Sequence, residues 1–381
     1  MLAEAIVPTH IVSNAAEFLA LESEWNALAE RFATPLLRHE WFAACLDAFG
    51  EGLELKVVVA RADGRAQAIA PLAIDRTGAL PRLIVLSHYT HEPTGFPHVD
   101  ESSLAMVCDA VRGFGMPLVL PRLGMDCGEI QWLRAVPRLR GLLIERASPT
   151  ASAFVPLQAG WAALEAKMSG EDRSKLRRLR KLAEREGPVN VEIAAPDEST
   201  LDRLLDEVFT VEAAGWKSRA GTAMLSDPGI RRFITGYARA AARRGTLRIF
   251  LMRIGEVTAA AQIAVEHAGR LWYIKQGYDE RFAKCAPGIT LTHETLRYAC
   301  ERKLAACEFL GLAETWQQRW PIEIRRYTSA RFYPPSLVSG LALGADVWRF
   351  ALRERLRTGR SRFAGKATAV RAGSPTLSSA Q

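Results

Sequence analysis

The same order of predicted secondary structure occurs twice along this chain of 381 residues. In each half, helical segments precede an antiparallel meander of strands, and a strand–loop–helix–strand unit follows. The first meander passes from LELKVVVAR to AQAIAPLAI through Asp63-Gly64, a strong hairpin signal. The second joins TLRIFLMRI to VTAAAQIAVEH through Gly255-Glu256 and continues into RLWYIKQGYD. The pattern predicts an α/β (α+β) fold of two tandem domains, each a mixed, mainly antiparallel sheet flanked by helices.

The predicted domain boundaries follow this repetition and the distribution of charge. We expect an N-terminal domain over 1–150 and a second domain over 151–335. A basic helix and disordered tail are expected over 336–381. Of the net charge of +8, residues 173–185 contribute seven basic and one acidic residue, and residues 349–371 contribute eight and one. Since the rest of the chain is net negative, it is not a generally basic nucleic-acid binder, and we expect no DNA partner.

Composition and the cysteine pattern exclude other classes of protein. Apolar residues make up 49% and charged residues 24%, as in ordinary globular domains. No apolar run reaches the ~18 residues of a membrane span, and the first residues lack the pattern of a secretory signal. We therefore expect a cytoplasmic protein and leave contact with the inner-membrane surface open. The six cysteines form no CxxC pair, so we expect buried thiols and no metal site.

One segment has the pattern of an anion-binding site. After the strand RLWYIKQGYD, a loop reaches Pro287-Gly288 and a helix begins at once. The first N–H groups of a helix have no partner within it and, together with the helix dipole, attract phosphate. Gly288 permits close approach of the backbone, and Pro287 has a φ suited to a helix start. We predict that the stretch Ala286, Pro287, Gly288, Ile289 and Thr290 binds an anionic carrier.

Several short motifs in this order resemble a known enzyme family. They are E-x3-W-K from Glu212, Q-G-Y-D at Gln276–Asp279, F-A-x2-A-P-G at Phe282–Gly288, E-F-L-G at Glu308–Gly311, Trp316 and Trp320, and W-x2-L with T-P-L-L-x3-E-W-F over Trp25–Phe42. The set resembles the acetyltransferases linked to cellulose biosynthesis (CelD/BcsL-like), which are of the GNAT type and related to FemAB-type transferases. The resemblance covers roughly residues 10–335. It implies two GNAT-like domains, of which the second holds acyl-CoA.

The resemblance also implies a reaction: transfer of an acyl group from acetyl-CoA, or another acyl-CoA, to an acceptor. A polysaccharide, glycolipid or amino sugar is the implied acceptor, in exopolysaccharide or cellulose biosynthesis, with association to a polysaccharide synthase left open. The N-terminal domain is expected to be structural or to contact the acceptor. Acyl transfer requires a base for the nucleophile, donors for the oxyanion and an acid for the leaving thiolate.

Candidates for these roles lie on two elements. Glu212, near the end of a helix, is the candidate base or substrate-orienting carboxylate, and Lys217 the candidate cation for an anionic substrate. Trp216 is expected to pack or to stack on a sugar. Lys275 and Gln276 lie where a cofactor amide can pair with strand backbone.

Two tyrosines and an aspartate complete the candidate site. Tyr273 and Tyr278 are five residues apart, so a regular strand would place them on opposite faces, with one facing the substrate. Tyr278 is the candidate general acid. Asp279 is expected to contact substrate or to cap the turn.

Two other functions remain open from the sequence. One is a FemAB-like transferase that uses aminoacyl-tRNA, with the basic helix predicted over 171–186 contacting RNA phosphates. The other is a scaffold of a polysaccharide synthesis complex with a degenerate acyl site. Acetyl-CoA binding and salt-dependent RNA binding distinguish the three.

Overall fold

The computed structural model describes residues 9–215 and 227–352. Its strands are β1 (Thr9–Val12), β2 (Leu53–Leu55), β3 (Val57–Ala62), β4 (Arg65–Ala70), β5 (Leu72–Asp75), β6 (Arg82–Val85), β7 (Leu118–Gly124), β8 (Leu142–Glu145), β9 (Thr150–Pro156), β10 (Val189–Ala194), β11 (Leu247–Ile254), β12 (Val257–His267), β13 (Arg270–Tyr278), β14 (Ala306–Glu308) and β15 (Glu323–Tyr333). Its α-helices are α1 (Ala15–Ala20), α2 (Glu22–Ala29), α3 (His39–Phe49), α4 (Glu101–Gly113), α5 (Gly128–Ala135), α6 (Gly160–Lys167), α7 (Gly170–Glu186), α8 (Leu201–Ala213), α9 (Pro228–Arg243), α10 (Pro287–Glu301) and α11 (337–352).

One large sheet runs through both halves of the chain. Its strand order is β10-β11-β12-β13-β14-β9-β15-β7-β6-β5-β2, with β8 also on β15, and β1-β3-β4 form a small second sheet. Neighbours are antiparallel except β6 with β7 and β13 with β14. Each parallel pair is bridged by a helix, α4 in the first half and α10 in the second. The mixed, mainly antiparallel α/β fold predicted from the sequence is confirmed, and both halves contain the strand–helix–strand unit.

The first hairpin is formed as predicted but divides between the two sheets. Asp63 and Gly64 have φ values of 51° and 74°, the left-handed geometry that a tight two-residue turn needs. Each predicted single strand breaks once, at Lys56 and at Pro71, which has no N–H for a ladder. The inner parts pair as β3 and β4 in the small sheet, whereas β2 and β5 pair in the large one.

The halves share strands at the middle of the large sheet. β15 pairs with β9 through Glu323–Tyr327 and with β7 and β8 through its later residues. The sheet is thus continuous past residue 150, and the boundary near that residue remains a prediction. The tail predicted from 353 onward lies outside the described residues. Within the described ranges, none of the helices combines the length and the apolar character that crossing a bilayer requires.

Two short helices, α1 and α2, form the start of the first half. α1 ends at Ala20 and α2 begins at Glu22, and Asn14 caps α1 by accepting from the amide of Glu17. The buried side of both helices packs on His39 of α3, whose ring stacks on Phe18 at 4.6 Å between centroids. Nε2 of His39 lies 3.0 Å from the carbonyl oxygen of Phe18 and donates to it. A histidine is therefore part of the aromatic core.

We expect His39 to make folding stability fall with acidification. Burial lowers its pKa below the ordinary value, more than the Phe18 hydrogen bond raises it. The unfolded chain therefore takes up a proton near pH ~6.5 that folded His39 resists, so this stability is complete above that pH and is lost below it. Urea unfolding across this range measures the slope. His39→Phe, which stacks but does not titrate, should make the slope shallower. An unchanged slope would assign it to three half-buried histidines whose pKa is also lowered, His88, His267 and His293.

Candidate functional site

A cavity opens in the second half where two parallel strands separate. β13 pairs with β14 only from Arg270 to Trp272, and from there to Tyr278 it remains paired with β12 on its other side. A short 3-10 segment, Glu280–Cys285, stands where the sequence predicted a loop, and it leads into α10. The cavity beside these elements measures about 370 Å³. It is lined by Glu212, Gly215, Gln262, Gln276, Gly277, Tyr278, Ala283, Ala286, Gly288, Ile289, Glu314 and Trp316.

The start of α10 forms one wall of this cavity. Ala286, the N-cap residue, is left-handed with φ 43°, and among the described residues no side chain caps this helix. Fewer backbone amides are available to an anion than the sequence predicted, because the amides of Ile289 and Thr290 donate to the Ala286 carbonyl at 3.0 and 3.2 Å. Thr290 is also buried away from the cavity. Since Pro287 has no N–H, Gly288 supplies the first amide of the helix, and Gly288 borders the cavity.

The matching helix of the first half starts differently. Asp100 caps α4 by accepting from the amide of Ser103, and the Ser103 hydroxyl lies in turn against the Asp100 backbone. A carboxylate thus occupies the end of α4 that would attract an anion. The two strand–helix–strand units are alike in topology, but the second has its helix start beside a cavity and without a side-chain cap.

A β-bulge changes the predicted orientation of the two tyrosines. Lys275 pairs with Ile263 and Tyr273 with Ala264, so Ile274 is an extra residue in β13. The extra residue reverses the alternation, and Tyr273 lies on the same face as Gln276 and Tyr278 rather than opposite to Tyr278.

Only one of the two tyrosines reaches the cavity. Tyr278 lines it, but Tyr273 packs edge-on against Phe309 in the core, where burial raises its pKa well above the ordinary value. Tyr273 is buried and is not among the residues that line the cavity, so its position does not support the predicted contact with substrate.

Glu212 also lines the cavity, from the face of the sheet opposite to Tyr278. It is in the last turn of α8, is 1% exposed, and its Oε1 lies 3.6 Å from Nζ of Lys275. α8 touches β13 here, since a Cβ on Gly277 would lie 2.8 Å from the Glu212 backbone. Glu212 is therefore a buried carboxylate that pairs with a cation. The side chain of Lys275 points to Glu212, on the face of β13 opposite to Gln276. Trp216 and Lys217 lie outside the described residues.

Asp279 has the capping role that the sequence left open. Its carboxylate accepts from the backbone amide of Arg281 at 2.9 Å and from its guanidinium at 2.6 and 2.9 Å. Burial opposes ionisation, but these hydrogen bonds outweigh it and lower the pKa of Asp279. Asp279 is not among the residues that line the cavity, so its geometry supports the turn and not the predicted substrate contact.

Sequence analysis missed Gln262, a buried amide at the centre of the site. Its Nε2 donates to the Thr292 hydroxyl at 2.8 Å, and its Oε1 accepts from the Thr295 hydroxyl at 2.7 Å. These bonds fix α10 to β12 one turn beyond Gly288. The signal was a single glutamine within the apolar run AAAQIAV. A polar side chain in a buried strand needs partners, and this one finds them on the helix.

The opposite wall of the cavity is held by residues of both halves. The wall contains Trp316, whose Nε1 donates to Glu314 at 2.9 Å, and it follows the turn at Gly311. Arg122 of the first half donates to the Gly311 carbonyl at 2.9 Å, and Glu92 accepts from the Gly311 amide at 3.0 Å. The first half thus supports the segment that closes the cavity.

The basic helix predicted over 171–186 is α7, and it packs beside the start of α10. It contacts the Glu280–Cys285 segment, and Arg180 pairs with Glu294 of α10 at 3.2 Å. On its inner side, α7 buries Leu176 and Leu179. On its outer side, Arg177, Arg178 and Lys181 are exposed. A cationic surface therefore lies next to the anion-attracting end of the cavity.

Comparisons with known proteins agree with this topology. Residues 170–318 match the family model of the acetyltransferase (GNAT) domain. Among solved structures, FemX is similar with a TM-score of 0.57 and 13% identity over 84% of this chain and 96% of that one. A conserved protein of unknown function from Bacteroides thetaiotaomicron has a TM-score of 0.55 and 10% identity, over 86% of this chain and 100% of that one. The C-terminal domain of a proposed lysylphosphatidylglycerol synthetase from Agrobacterium fabrum has a TM-score of 0.53 and 11% identity, over 87% of this chain and 96% of that one. No curated protein matches the sequence significantly.

Proposed function

We propose that the chain transfers an acyl group from acetyl-CoA or another acyl-CoA, because residues 170–318 match the acetyltransferase (GNAT) domain model. The proposed acceptor is an amine or hydroxyl of a polysaccharide, glycolipid or amino sugar. One observation carries the proposal: within the described part of the chain, no side chain caps α10 at the edge of the cavity, whereas Asp100 caps the equivalent helix of the first half.

The size and the chemistry of the cavity support the proposed donor site. Its volume of about 370 Å³ lies within the ~300–1,000 Å³ of small-molecule sites. The Gly288 amide and the positive end of the helix dipole suit a phosphate, and exposed Lys284 is close by in sequence. β13 pairs with β14 from Arg270 to Trp272 and reaches the cavity further along, at Gln276 and Tyr278, so β13 is the strand proposed to lie along the amides of an extended donor. A bound acyl-CoA would supply the reactive thioester.

Two side chains at the cavity have the chemistry for proton transfer. Glu212 is the group that would take the proton of the acceptor's nucleophile as the new carbon–nitrogen or carbon–oxygen bond forms. Tyr278 is the group that would give a proton to the departing sulfur as the carbon–sulfur bond breaks. Nζ of Lys275 lies 3.6 Å from Oε1 of Glu212, so the two opposite charges attract each other at the cavity.

The pathway rests on the sequence resemblance. The motifs from Trp25 to Trp320 support a role in exopolysaccharide or cellulose biosynthesis on the cytoplasmic side of the membrane, in association with a polysaccharide synthase. Support for acceptor contacts from the first half comes from Glu92 and Arg122, which hold the wall at Gly311.

A second function has one observation in its favour. The exposed cations Arg177, Arg178 and Lys181 of α7 lie beside the start of α10, where they suit the phosphates of a nucleic acid. An aminoacyl-tRNA would then be the donor, as in a FemAB-like transferase.

Binding measurements on the full chain separate these functions. Calorimetric titration with acetyl-CoA should show binding in the micromolar range. Gel-shift with tRNA at low and high salt tests the second function, since RNA binding through phosphates weakens steeply with salt. Salt-sensitive binding of tRNA, together with no binding of acetyl-CoA, would favour the aminoacyl transferase. Absence of both would leave the degenerate scaffold.

A further inference from the structure

The helix α11 carries apolar side chains on the face that points away from the protein. Leu337 is 81% exposed, Leu341 56% and Trp348 66%. Steps of four and seven residues place these three side chains on one side of the helix. Val347, Phe350 and Leu352 are exposed near its end as well. Single exposed apolar residues are common, but a contiguous apolar stripe marks a contact surface.

The opposite face of α11 is fixed to the body of the protein. Asp346 accepts from the Arg82 guanidinium at 2.7 and 2.8 Å and from the Tyr333 hydroxyl at 2.6 Å. Ala342 is fully buried, and the Ser339 hydroxyl donates to the Gly115 carbonyl at 3.3 Å. These contacts set the rotation of the helix about its axis. The apolar stripe cannot turn inward without breaking a bidentate ion pair.

The sequence that begins at the end of this helix is strongly basic. Arg349 is exposed on α11, and residues 349–371 contain eight basic residues against one acidic residue in the sequence. An apolar stripe with a tryptophan, next to an arginine and a basic sequence, is the composition of helices that lie in a bilayer interface. A second copy of this chain would bring two like-charged segments together. A nucleic acid would meet the charge but offers no apolar phase for Leu341 or Trp348.

We propose that α11 docks the protein on an anionic lipid bilayer. Leu337, Leu341 and Trp348 enter the interface between headgroups and acyl chains, Arg349 contacts the anionic headgroups, and the positive net charge of the sequence 349–371 adds long-range attraction to the anionic surface. Both contributions are required, because a single weak anchor gives only marginal membrane binding. This surface is separate from the cavity at Gly288, so the proposal does not depend on the transfer reaction.

Sedimentation of the full-length protein with vesicles tests the proposal. Vesicles of equal parts phosphatidylglycerol and phosphatidylcholine should bind the protein, pure phosphatidylcholine vesicles should bind it weakly, and added salt should release it. The double variant Leu341→Glu with Trp348→Glu should lower the partition about tenfold or more. Both residues are exposed, so thermal unfolding should be unchanged.

A matched control has the same change of charge elsewhere. Leu19→Glu with Leu139→Glu alters two exposed leucines, on α1 and on the segment after α5, and should bind vesicles as the unsubstituted protein does. Equal loss in both double variants, or full binding by the α11 variant, would overturn the proposal.

Two further measurements address other occupants of this face. Light scattering that shows a dimer, which the α11 substitutions dissociate, together with no vesicle binding would assign the stripe to a second copy. RNA binding that persists in the α11 variant, again without vesicle binding, would assign the basic residues to nucleic acid. Either result would overturn the proposal.

Discussion

Replacing Gly288 with tryptophan is expected to abolish binding of acetyl-CoA and, with it, acyl transfer. Gly288 supplies the first amide of α10 and lines the cavity, so an indole attached there would occupy the space that the donor requires. We expect a loss of at least about a hundredfold in affinity, since the new side chain excludes the phosphate from the helix start. Calorimetry and a thiol-release assay measure the two effects.

The control for this prediction is Gly288→Ala. A Cβ at this position would lie 3.6 Å from the Tyr278 ring, an ordinary van der Waals distance, so the fold should tolerate it. Similar thermal unfolding of both variants would show that the tryptophan acts in the cavity and not on folding. If the Gly288→Trp protein still bound acetyl-CoA normally, the donor site would have to be elsewhere.

Replacing Glu212 with glutamine is expected to lower kcat by about 10²–10⁴-fold, the usual contribution of a general base. The amide has nearly the same shape as the carboxylate but cannot accept the proton of the acceptor. KM for acetyl-CoA should change little, because the proposed donor contacts are at Gly288 and along β13. Steady-state kinetics with both substrates measure the split.

Asp206→Asn is the matched control for Glu212. Asp206 lies on the same helix, pairs with Arg231 at the surface and is remote from the cavity lining. Its substitution should leave kcat within about twofold, as expected for an exposed ion pair. Glu212→Gln also leaves Lys275 without its partner carboxylate, so thermal unfolding of this variant must accompany the kinetics. A change in acceptor KM alone would make Glu212 an orienting group rather than the base.

Hydrophobic periodicity and turn residues predicted most helices and strands correctly. Asp63-Gly64 located the first hairpin, and Pro287-Gly288 located the start of α10 to the residue. β9 was missed because its short run, TASAFVP, contains more small and polar residues than large apolar ones, which are only Phe154 and Val155. It becomes a strand by pairing with β14 and β15, partners that are distant in sequence. Such tertiary pairing overrides local propensity.

Gly288, Glu212 and Tyr278, which the sequence motifs selected, line one cavity, and their roles stay predictions. The predicted orientation of Tyr273 was wrong, because strict alternation of side chains along a strand does not allow for the bulge at Ile274. The amides of Ile289 and Thr290 were predicted to be free, but the left-handed Ala286 directs its carbonyl to both.

The pairing of β15 constrains how this protein is made. During synthesis, β7 emerges long before the residues Glu323–Tyr333 that cover its open edge. Until then, the nascent first half exposes unpaired backbone groups, a state that invites association with other chains. The large sheet can therefore form completely only after the ribosome has released Glu323–Tyr333, so we expect the first half to reach its final pairing late in synthesis.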